Sequence, residues 1–540
     1  MNWLLFALCL LWHSELVFCK DVYLNWKLTW VNAGPDGFQR PVIGINGEWP
    51  CPQVDLHLGD RLIADVYNGL GNQSTGIHWH GMHQFGSPEM DGANGVTQCP
   101  IEPGQHMRYD FQVNQTGTFW YHSHQMGQYP DGLRGPLILH DTKPLPFQYD
   151  EEITVTVSDW YHKQMGELVD EMEEVGVEPT PDAILFNEAT NTRLKVDPGK
   201  TYLIRLICMG NWAGHSVTFE DHDITIVEVD GVLTNPHYLP PQLMRIAPGQ
   251  RMSVLITTKD DTSRNYGILD AMDIVEMFVH ENRSIPAGFN PNGTAWLVYD
   301  EQKPLPPAPT IHVTDASVDF FNDLNLVSYE PKRRLEPVDR QIILNISQAS
   351  QGRIAAFTIN DQVYEEPTVP TLYTAMLATP EQAPDPSIYG STNPYVVKYG
   401  EVVEIVINNF HSNLHAWHFH GHTPQIIQRG TTYGGYFEGY FPNISSTPLR
   451  RDTIMVEPKS HLVFRFRAKN IDKCSLPPYS DLLLRIWLLH CHTEFHVAAH
   501  LTATIIEAPE RLHQFRVPED HWRICPSSVL GATGSIGALN

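Results

Sequence analysis

The segment "HCHTEFH" at 490–496 sets Cys491 between His490 and His492 and brings His496 five residues after the cysteine. Three further segments concentrate histidine: "HWHG" at 78–81, "HSH" at 122–124 and "HAWHFHGH" at 415–422. A lone H-x-H means little, because alternate residues of any strand share a face. A single buried cysteine likewise packs as a small hydrophobe. Four clusters with a shared spacing, at the two ends of one chain, point instead to bound metal.

Strand parity turns the spacing into geometry. Residues i and i+2 of an extended segment project to one side and i+1 to the other. His490 and His492 therefore face away from Cys491, and in "HAWHFH" His418 and His420 face away from His415. Two ligand sets follow. One is Cys491 with His415 and His496. The other is eight imidazoles, from His78, His80, His122, His124, His418, His420, His490 and His492. A thiolate with two imidazoles in a trigonal set suits an electron-transfer copper, whereas structural zinc closes with four ligands. Eight imidazoles suffice for three more copper ions, a set that reduces dioxygen without releasing a partly reduced species. Cys491 is joined through the backbone to both His490 and His492, a short covalent path for electrons between the two sets.

The elements that must position these residues read as β-strands. "RLIADVYN", "EEITVTVSDWY", "TYLIRLICM", "RMSVLITT", "EVVEIVINN" and "HLVFRFRAK" are short, rich in Val, Ile, Leu and aromatics, and bounded by turn residues. Such a series predicts an all-β chain of sandwiches or barrels. The punctuation in "IEPGQHMRYDF", "VDPGKTYLIRL" and "IAPGQRMSVLI" is a Pro-Gly turn feeding a strand each time, the mark of a repeated β-domain. "DTKPLPFQYD" (141–150) and "EQKPLPPAPT" (301–310) divide the chain. The expected layout is domains at 21–145, 146–303 and 311–525, a linker at 304–310 and a polar tail at 526–540.

Composition narrows the setting. With 62 acidic against 36 basic side chains the formal charge is −26, which argues against nucleic acid or an anionic membrane as a partner. Residues 1–20 carry an apolar stretch of signal-peptide length, and no later segment offers a transmembrane run, so a secreted or cell-surface protein is expected. Sequons begin at Asn72, Asn114, Asn282, Asn292, Asn345 and Asn443, as in a secreted glycoprotein. Cys9 and Cys19 leave with the signal peptide. Cys51, Cys99, Cys208, Cys474 and Cys525 then remain beside Cys491, enough for two disulfides and one odd thiol whose pairing spacing alone does not assign. A monomer is expected.

"HWHGMHQFGSPEMDGANGVTQCPIEPG", "GTFWYHSHQMGQYPDGLRGPLILHD" and "LRRDTIMVEP" resemble the multicopper oxidases over nearly all of 21–525. The likeness is to fungal laccases and, more closely, to fungal iron-transport ferroxidases. The resemblance implies three cupredoxin-like Greek-key domains and four copper ions. It makes His415, Cys491 and His496 the type 1 ligands, with non-coordinating Leu501 at the axial position, which favours a higher potential than methionine would give. It puts His78 and His418 at type 2 positions, and His80, His122, His124, His420, His490 and His492 at type 3 positions. Asp91 and Glu494 match acids near the oxygen-reducing cluster, as proton relays or as groups that orient ligand histidines. The family's bridges carry over as Cys99 to Cys525 and Cys51 to Cys208, leaving Cys474 as the odd thiol.

The reductant is less marked. Of the three acids by which the resembled ferroxidases bind iron, only Glu178 in "GVEPTPDAILFN" matches. Phe278 falls at the second position, with Asp273 and Glu276 nearby, and the third lies in an aromatic loop whose one acid is Glu438. These losses favour a laccase-like oxidation of a phenol by single electrons, as in pigment or polyketide formation, with Glu178 accepting the phenolic proton. Fe(II) oxidation is the alternative, and copper storage a non-enzymatic third. His83, His106, His140, His411 and His422 show no ligand pattern and read as ordinary histidines. His500, beside Leu501, departs from the family, as does "IDKCSLPPYSDLLLR" (471–485), which is either an extra loop or a retained intron.

Overall fold

The computed structural model describes residues 19–240, 242–280, 282–308, 321–351, 354–469 and 485–526. Residues 1–18 of the segment expected to be a signal peptide (1–20), Cys474, the 471–484 part of the inserted segment and the tail beyond residue 526 lie outside the described residues.

Each third of the chain contributes two sheets. The first pairs a sheet ordered Arg40–Ile45, Asp21–Ala33, Arg61–Asn68, His106–Gln112 with one ordered Val54–His57, Arg134–His140, Gly117–Ser123, Ile77–His80. The middle third has sheets of six and five strands, and the last third two sheets of five. The fold is all-β and cupredoxin-like. One crossover repeats in all three. Asp21–Leu28 runs parallel to Arg61–Asn68, Glu151–Val157 to Tyr202–Cys208, and Arg340–Ile346 to Val403–Asn409. In each case the chain leaves one sheet and returns beside its own first strand, as a Greek key requires.

The Pro-Gly turns are part of this repeat. Gly104 (φ +82°) and Gly249 (φ +83°) hold the left-handed position after proline, and the turns close with Gln105 N–H on Glu102 O and Gln250 N–H on Ala247 O, both at 3.0 Å. Two large cores result. One fills the first sandwich and continues through Leu372, Ile486, Leu488 and Ile506 of the last third; the other runs from the middle into the last. The domains thus share apolar cores, which fixes their relative placement.

Cys99 and Cys525 form a disulfide with Cα atoms 5.3 Å apart, tying the first third to the chain's end. The second expected bridge does not form: Cys51 and Cys208 are free and buried. Cys51 Sγ lies 3.4 Å from Gly132 O, and the Arg134 guanidinium near both thiols bonds Met209 O at 2.8 Å, next to Cys208. Burial pushes the Cys51 thiol up to about 12, so it is an inert packing group.

Candidate functional site

The eight histidines converge at the seam between the first and last thirds. Ile77–His80 pairs with Gly117–Ser123, setting His78 opposite His122, and His415–Phe419 pairs with Arg485–Cys491, setting His418 opposite His490. Two such strand pairs face each other.

Ring nitrogens group the eight without reference to any motif. His78 Nε2 and His418 Nε2 lie 3.4 Å apart. His80 Nδ1 is 3.4 Å from His122 Nε2 and 3.2 Å from His492 Nε2. His420 Nε2 is 3.1 Å from His490 Nε2, and His124 joins that pair within 4.8 Å. The shortest contacts give a pair and two trios inside one connected cluster, since within 4.8 Å His78 also groups with His418 and His420 and with His80 and His122.

Oxygen acceptors fix the rings. The Nδ1–H of His78 donates to Asp91 O (2.7 Å), of His122 to Ser123 O (2.9 Å), of His418 to Asp452 O (3.1 Å), of His420 to Asp91 Oδ2 (2.8 Å), and of His490 to Cys491 O (2.8 Å). Each leaves Nε2 and its lone pair pointing inward. His80 is reversed: its Nε2 meets Thr453 Oγ1 at 3.2 Å and Asp452 Oδ1 at 3.4 Å, so Nδ1 faces the cluster. Burial, joined for most of them by repulsion from neighbouring imidazoles, holds His80, His122, His420, His490 and His492 well into the neutral range, lowers His418 and holds His124 down to about 3. Neutral, buried, convergent imidazoles are a donor set for soft or borderline metal ions, and the residues fit copper.

On the other face of the cysteine strand a triangle forms. Cys491 Sγ lies 3.5 Å from His415 Nδ1 and 3.4 Å from His496 Nδ1, and the two nitrogens are 3.0 Å apart. A trigonal site with bonds of about 2.0–2.3 Å needs ligand separations of roughly 3.5–4 Å, so the triangle needs little expansion to take an ion. His496 reaches it because the strand gives way to the helix Glu494–Ala498. Leu501 is fully buried and its carbonyl accepts the Cys491 N–H at 3.1 Å; Phe357 presents its ring edge-on to His415 and His496, with centroids 5.3 and 5.0 Å away.

Carboxylates flank this triangle. Glu178 Oε1 lies 3.1 Å from His496 Nε2. Burial lowers the basicity of His496, but the Cys491 thiolate and Glu178 outweigh it and raise the ring to about 10, so the proton there meets a demand for positive charge that a metal ion would satisfy. Glu276 sits on one turn of π-helix, Val275–Val279, and its Oε1 accepts the N–H of Leu414, the residue before His415. Asp273 is instead committed to Arg245 at 2.9 Å, Phe278 is buried in the core, and Glu438 is exposed with no contact to the triangle.

Asp91 is fully buried and holds two ligand rings. Glu494 accepts the Gly127 N–H at 2.6 Å and lines a cavity of about 140 Å³ that reaches His122, His124, His490 and His492. His500, at φ +74°, lines the same cavity rather than crowding the cysteine triangle.

Several functional residues carry no motif. Asp452 contacts His80 and His418, and Arg251 clasps it with two bonds of 2.7 and 2.6 Å while also donating to Thr118 O. One guanidinium therefore joins all three thirds behind the cluster. Gly249 is placed so that a Cβ would lie 2.7 Å from His492 and 3.1 Å from His80. His411 stands beside His415, ring centroids 5.4 Å apart. The strand "IAPGQRMSVLI" and the motif "LRRDTIMVEP" contain Arg251 and Asp452, but neither spacing signals a role.

Family models described as "Multicopper oxidase" match residues 27–144, 151–302 and 364–511. The chain belongs to the multicopper oxidases. Members of this family are oxidoreductases that use four copper ions, one type 1, one type 2 and a type 3 pair, with dioxygen as acceptor. The iron transport multicopper oxidase FET3 of Gibberella zeae is 41% identical over 540 residues, covering 97% of this chain and 82% of that protein. FET3 of Saccharomyces cerevisiae is 34% identical, covering 95% and 80%. The crystal structure of Fet3p, a multicopper oxidase that functions in iron import, superposes with a TM-score of 0.86 at 34% identity, over 94% of this chain and 95% of that one. The laccase from Botrytis aclada gives 0.80 at 26%, over 96% and 92%.

Proposed function

We propose that this multicopper oxidase takes electrons singly from Fe(II) and delivers them to dioxygen: four Fe(II), one O2 and four protons give four Fe(III) and two waters. The observation that carries this reading is the buried Glu178 carboxylate 3.1 Å from Nε2 of His496, with buried Glu276 against the residue preceding His415. Against its burial, the His496 hydrogen bond and charge hold Glu178 down to about 2, so this hard anionic oxygen attracts a divalent cation and stabilises its more highly charged product; burial pushes Glu276 up to about 7, so it adds its charge as it ionises near neutral pH. The relatives named for iron transport support the same direction. A phenol donor, which the sequence alone favours, rests on two of the three acids being absent and on an aromatic loop at the third position; Glu276 supplies a carboxyl near the second position, and exposed Glu438 does not fill the third.

In this reading His415, Cys491 and His496 hold the type 1 copper, His78 and His418 the type 2 copper, and the trios His80, His122, His492 and His124, His420, His490 the type 3 pair. The coppers would supply one-electron acceptance at the cysteine site and four-electron reduction of dioxygen at the histidine cluster. The chain supplies the rest. Glu178 fixes the His496 ring and neutralises incoming cation charge. Asp91 and Asp452 fix the inward-facing rings, and Leu501 with Phe357 excludes water from the thiolate. Glu494, at the cavity wall, holds a proton next to the cluster.

A second reading, one-electron oxidation of phenols, has its own observation. The loop around residues 431–442 exposes Tyr433, Tyr436, Tyr440 and Phe441, and Tyr433 packs edge-on against His280, the partner of Glu276. These rings offer a stacking surface for a flat donor beside the same site. Measuring oxygen uptake with Fe(II) and with a phenol on the copper-loaded protein separates the two: a higher kcat/KM for Fe(II) is expected, and a clear preference for the phenol would overturn the iron reading.

A secretory route is the accompanying proposal. It is supported by the Cys99–Cys525 disulfide and by exposed sequons at Asn72, Asn282 and Asn443. Among the described residues no helix is long and apolar enough to cross a membrane.

A further inference from the structure

Away from both metal sites, a cavity of about 440 Å³ opens where the last third of the chain meets the first. Its wall carries Lys332, Arg333, Arg450, Arg465, Arg467 and Lys469, and among the described residues no Asp or Glu lines it. These are six of the 36 Lys and Arg of a chain whose net charge is −26. Such a gathering runs against the composition and against like-charge repulsion.

Only part of that charge is balanced internally. Arg465 is paired with Glu404 at 2.7 Å. Arg467 gives one bond to the Gly400 carbonyl and has no carboxylate partner among the described residues, and the side chains of Arg333 and Lys469 make no ion pair there either. A second observation lies just behind the wall. The Arg485 guanidinium is completely buried beneath His83 and Phe85; its Nη1 donates to His83 O at 3.3 Å, while Nε and Nη2 have no hydrogen-bond partner among the described residues. Buried Glu507, opposite Arg485 on the neighbouring strand, offsets part of that charge, so the excess positive charge of the wall rests on Arg333, Arg467 and Lys469. Thr423 Oγ1, 2.7 Å from His83 Nε2, adds a hydroxyl at the rim.

We propose that this cavity is a binding site for a compact multivalent oxyanion, a phosphate or a small polycarboxylate, held by Arg333, Arg467 and Lys469 with Arg450 and Lys332 at its mouth. Planar guanidinium groups match the oxygen spacing of either ligand class, and the volume admits a tricarboxylate as readily as a phosphate. The wall residues His422 and Thr423 lie two and three residues after His420 in the chain, so a bound anion would brace the turn leaving the histidine cluster. The inference is independent of which reductant the enzyme uses.

Isothermal titration calorimetry on the copper-loaded full chain tests it, with inorganic phosphate and citrate as probes and sodium chloride at matched ionic strength as the control. Saturable binding of one probe at one site is expected, and which of the two binds tighter identifies the ligand class. The Arg333→Ala/Lys469→Ala variant should weaken it at least about tenfold, since each lost charge-assisted bond is worth about that much. Its melting temperature and blue absorption should stay unchanged, because neither residue touches a metal ligand. No saturable heat with either probe, heat reproduced by chloride, or unchanged affinity in the variant would overturn the proposal.

Discussion

The two metal sites share one strand yet are built on opposite plans. On the side of His490 and His492, nearly every ring is anchored by a backbone carbonyl or by Asp91 and Asp452, and Arg251 ties the three thirds together behind them. On the side of Cys491, the surroundings are Phe357, Leu501 and two carboxyl groups from the middle third. The oxygen-reducing side must hold eight ligands in register through four electron transfers, so it is closed and over-determined. The donor side needs only three ligands, which leaves its outer edge to choose the reductant.

Breaking the shared strand has the largest expected effect. Cys491→Ser removes the thiolate and with it the blue absorption and all turnover with any reductant, while the near-ultraviolet band of the histidine cluster survives because His490 and His492 keep their carbonyl and strand contacts. Gly249→Ala tests the closed side. A Cβ there meets two ligand rings in a left-handed backbone conformation, so the near-ultraviolet band and dioxygen consumption should be lost while blue absorption persists. Normal oxygen uptake by that variant would show that the cluster tolerates displacement. Glu494→Gln should slow reoxidation of the fully reduced enzyme by dioxygen about a hundredfold, the usual worth of a positioned proton donor, without changing reduction by the donor in stopped-flow absorbance.

A smaller effect concerns stability on the closed side. Burial raises the Glu89 carboxyl, two residues before Asp91, to about 8. The folded chain keeps this proton while the unfolded chain loses it near the ordinary carboxylate value of 4.5, so stability falls as pH rises between 4.5 and about 8, by up to about 1.4 kcal/mol per pH unit from this group. Thermal melts of Glu89→Gln should show that slope reduced and a higher melting temperature than the parent at pH about 8.

The sequence makes the two sides unequally legible, for a physical reason. Histidines alternating along a strand must share a face, so His78 with His80, and His490 with His492, could be placed from spacing alone, and the cysteine set opposite them followed. The partition into a pair and two trios could not, because it depends on how two strand pairs from distant parts of the chain face each other. Glu276 is legible only as an acid near the expected position, Phe278; the choice between Asp273 and Glu276 depends on the π-turn, which buries Phe278 and carries Glu276 to the Leu414 N–H. Arg251 and Asp452 act as a pair only across a domain boundary, 201 residues apart in sequence. The Cys51 to Cys208 bridge was carried over from the resemblance alone, and in the structure both thiols are free and buried, with Cys51 Sγ 3.4 Å from the Gly132 carbonyl. The oxyanion cavity draws basic residues from three separate segments, none of which is unusual alone.

The donor-side account rests on Glu178 and Glu276 being what iron recognises. Steady-state oxygen uptake by the parent and by Glu178→Gln/Glu276→Gln, with Fe(II) and with a neutral phenol, tests this directly. The substitution keeps the shape, removes the charge and leaves one oxygen on each side chain to accept, from His496 at position 178 and from the Leu414 N–H at position 276. The account predicts that kcat/KM for Fe(II) falls at least about tenfold while that for the phenol changes less than about twofold. Equal losses for both donors, or an unchanged Fe(II) rate, would contradict it.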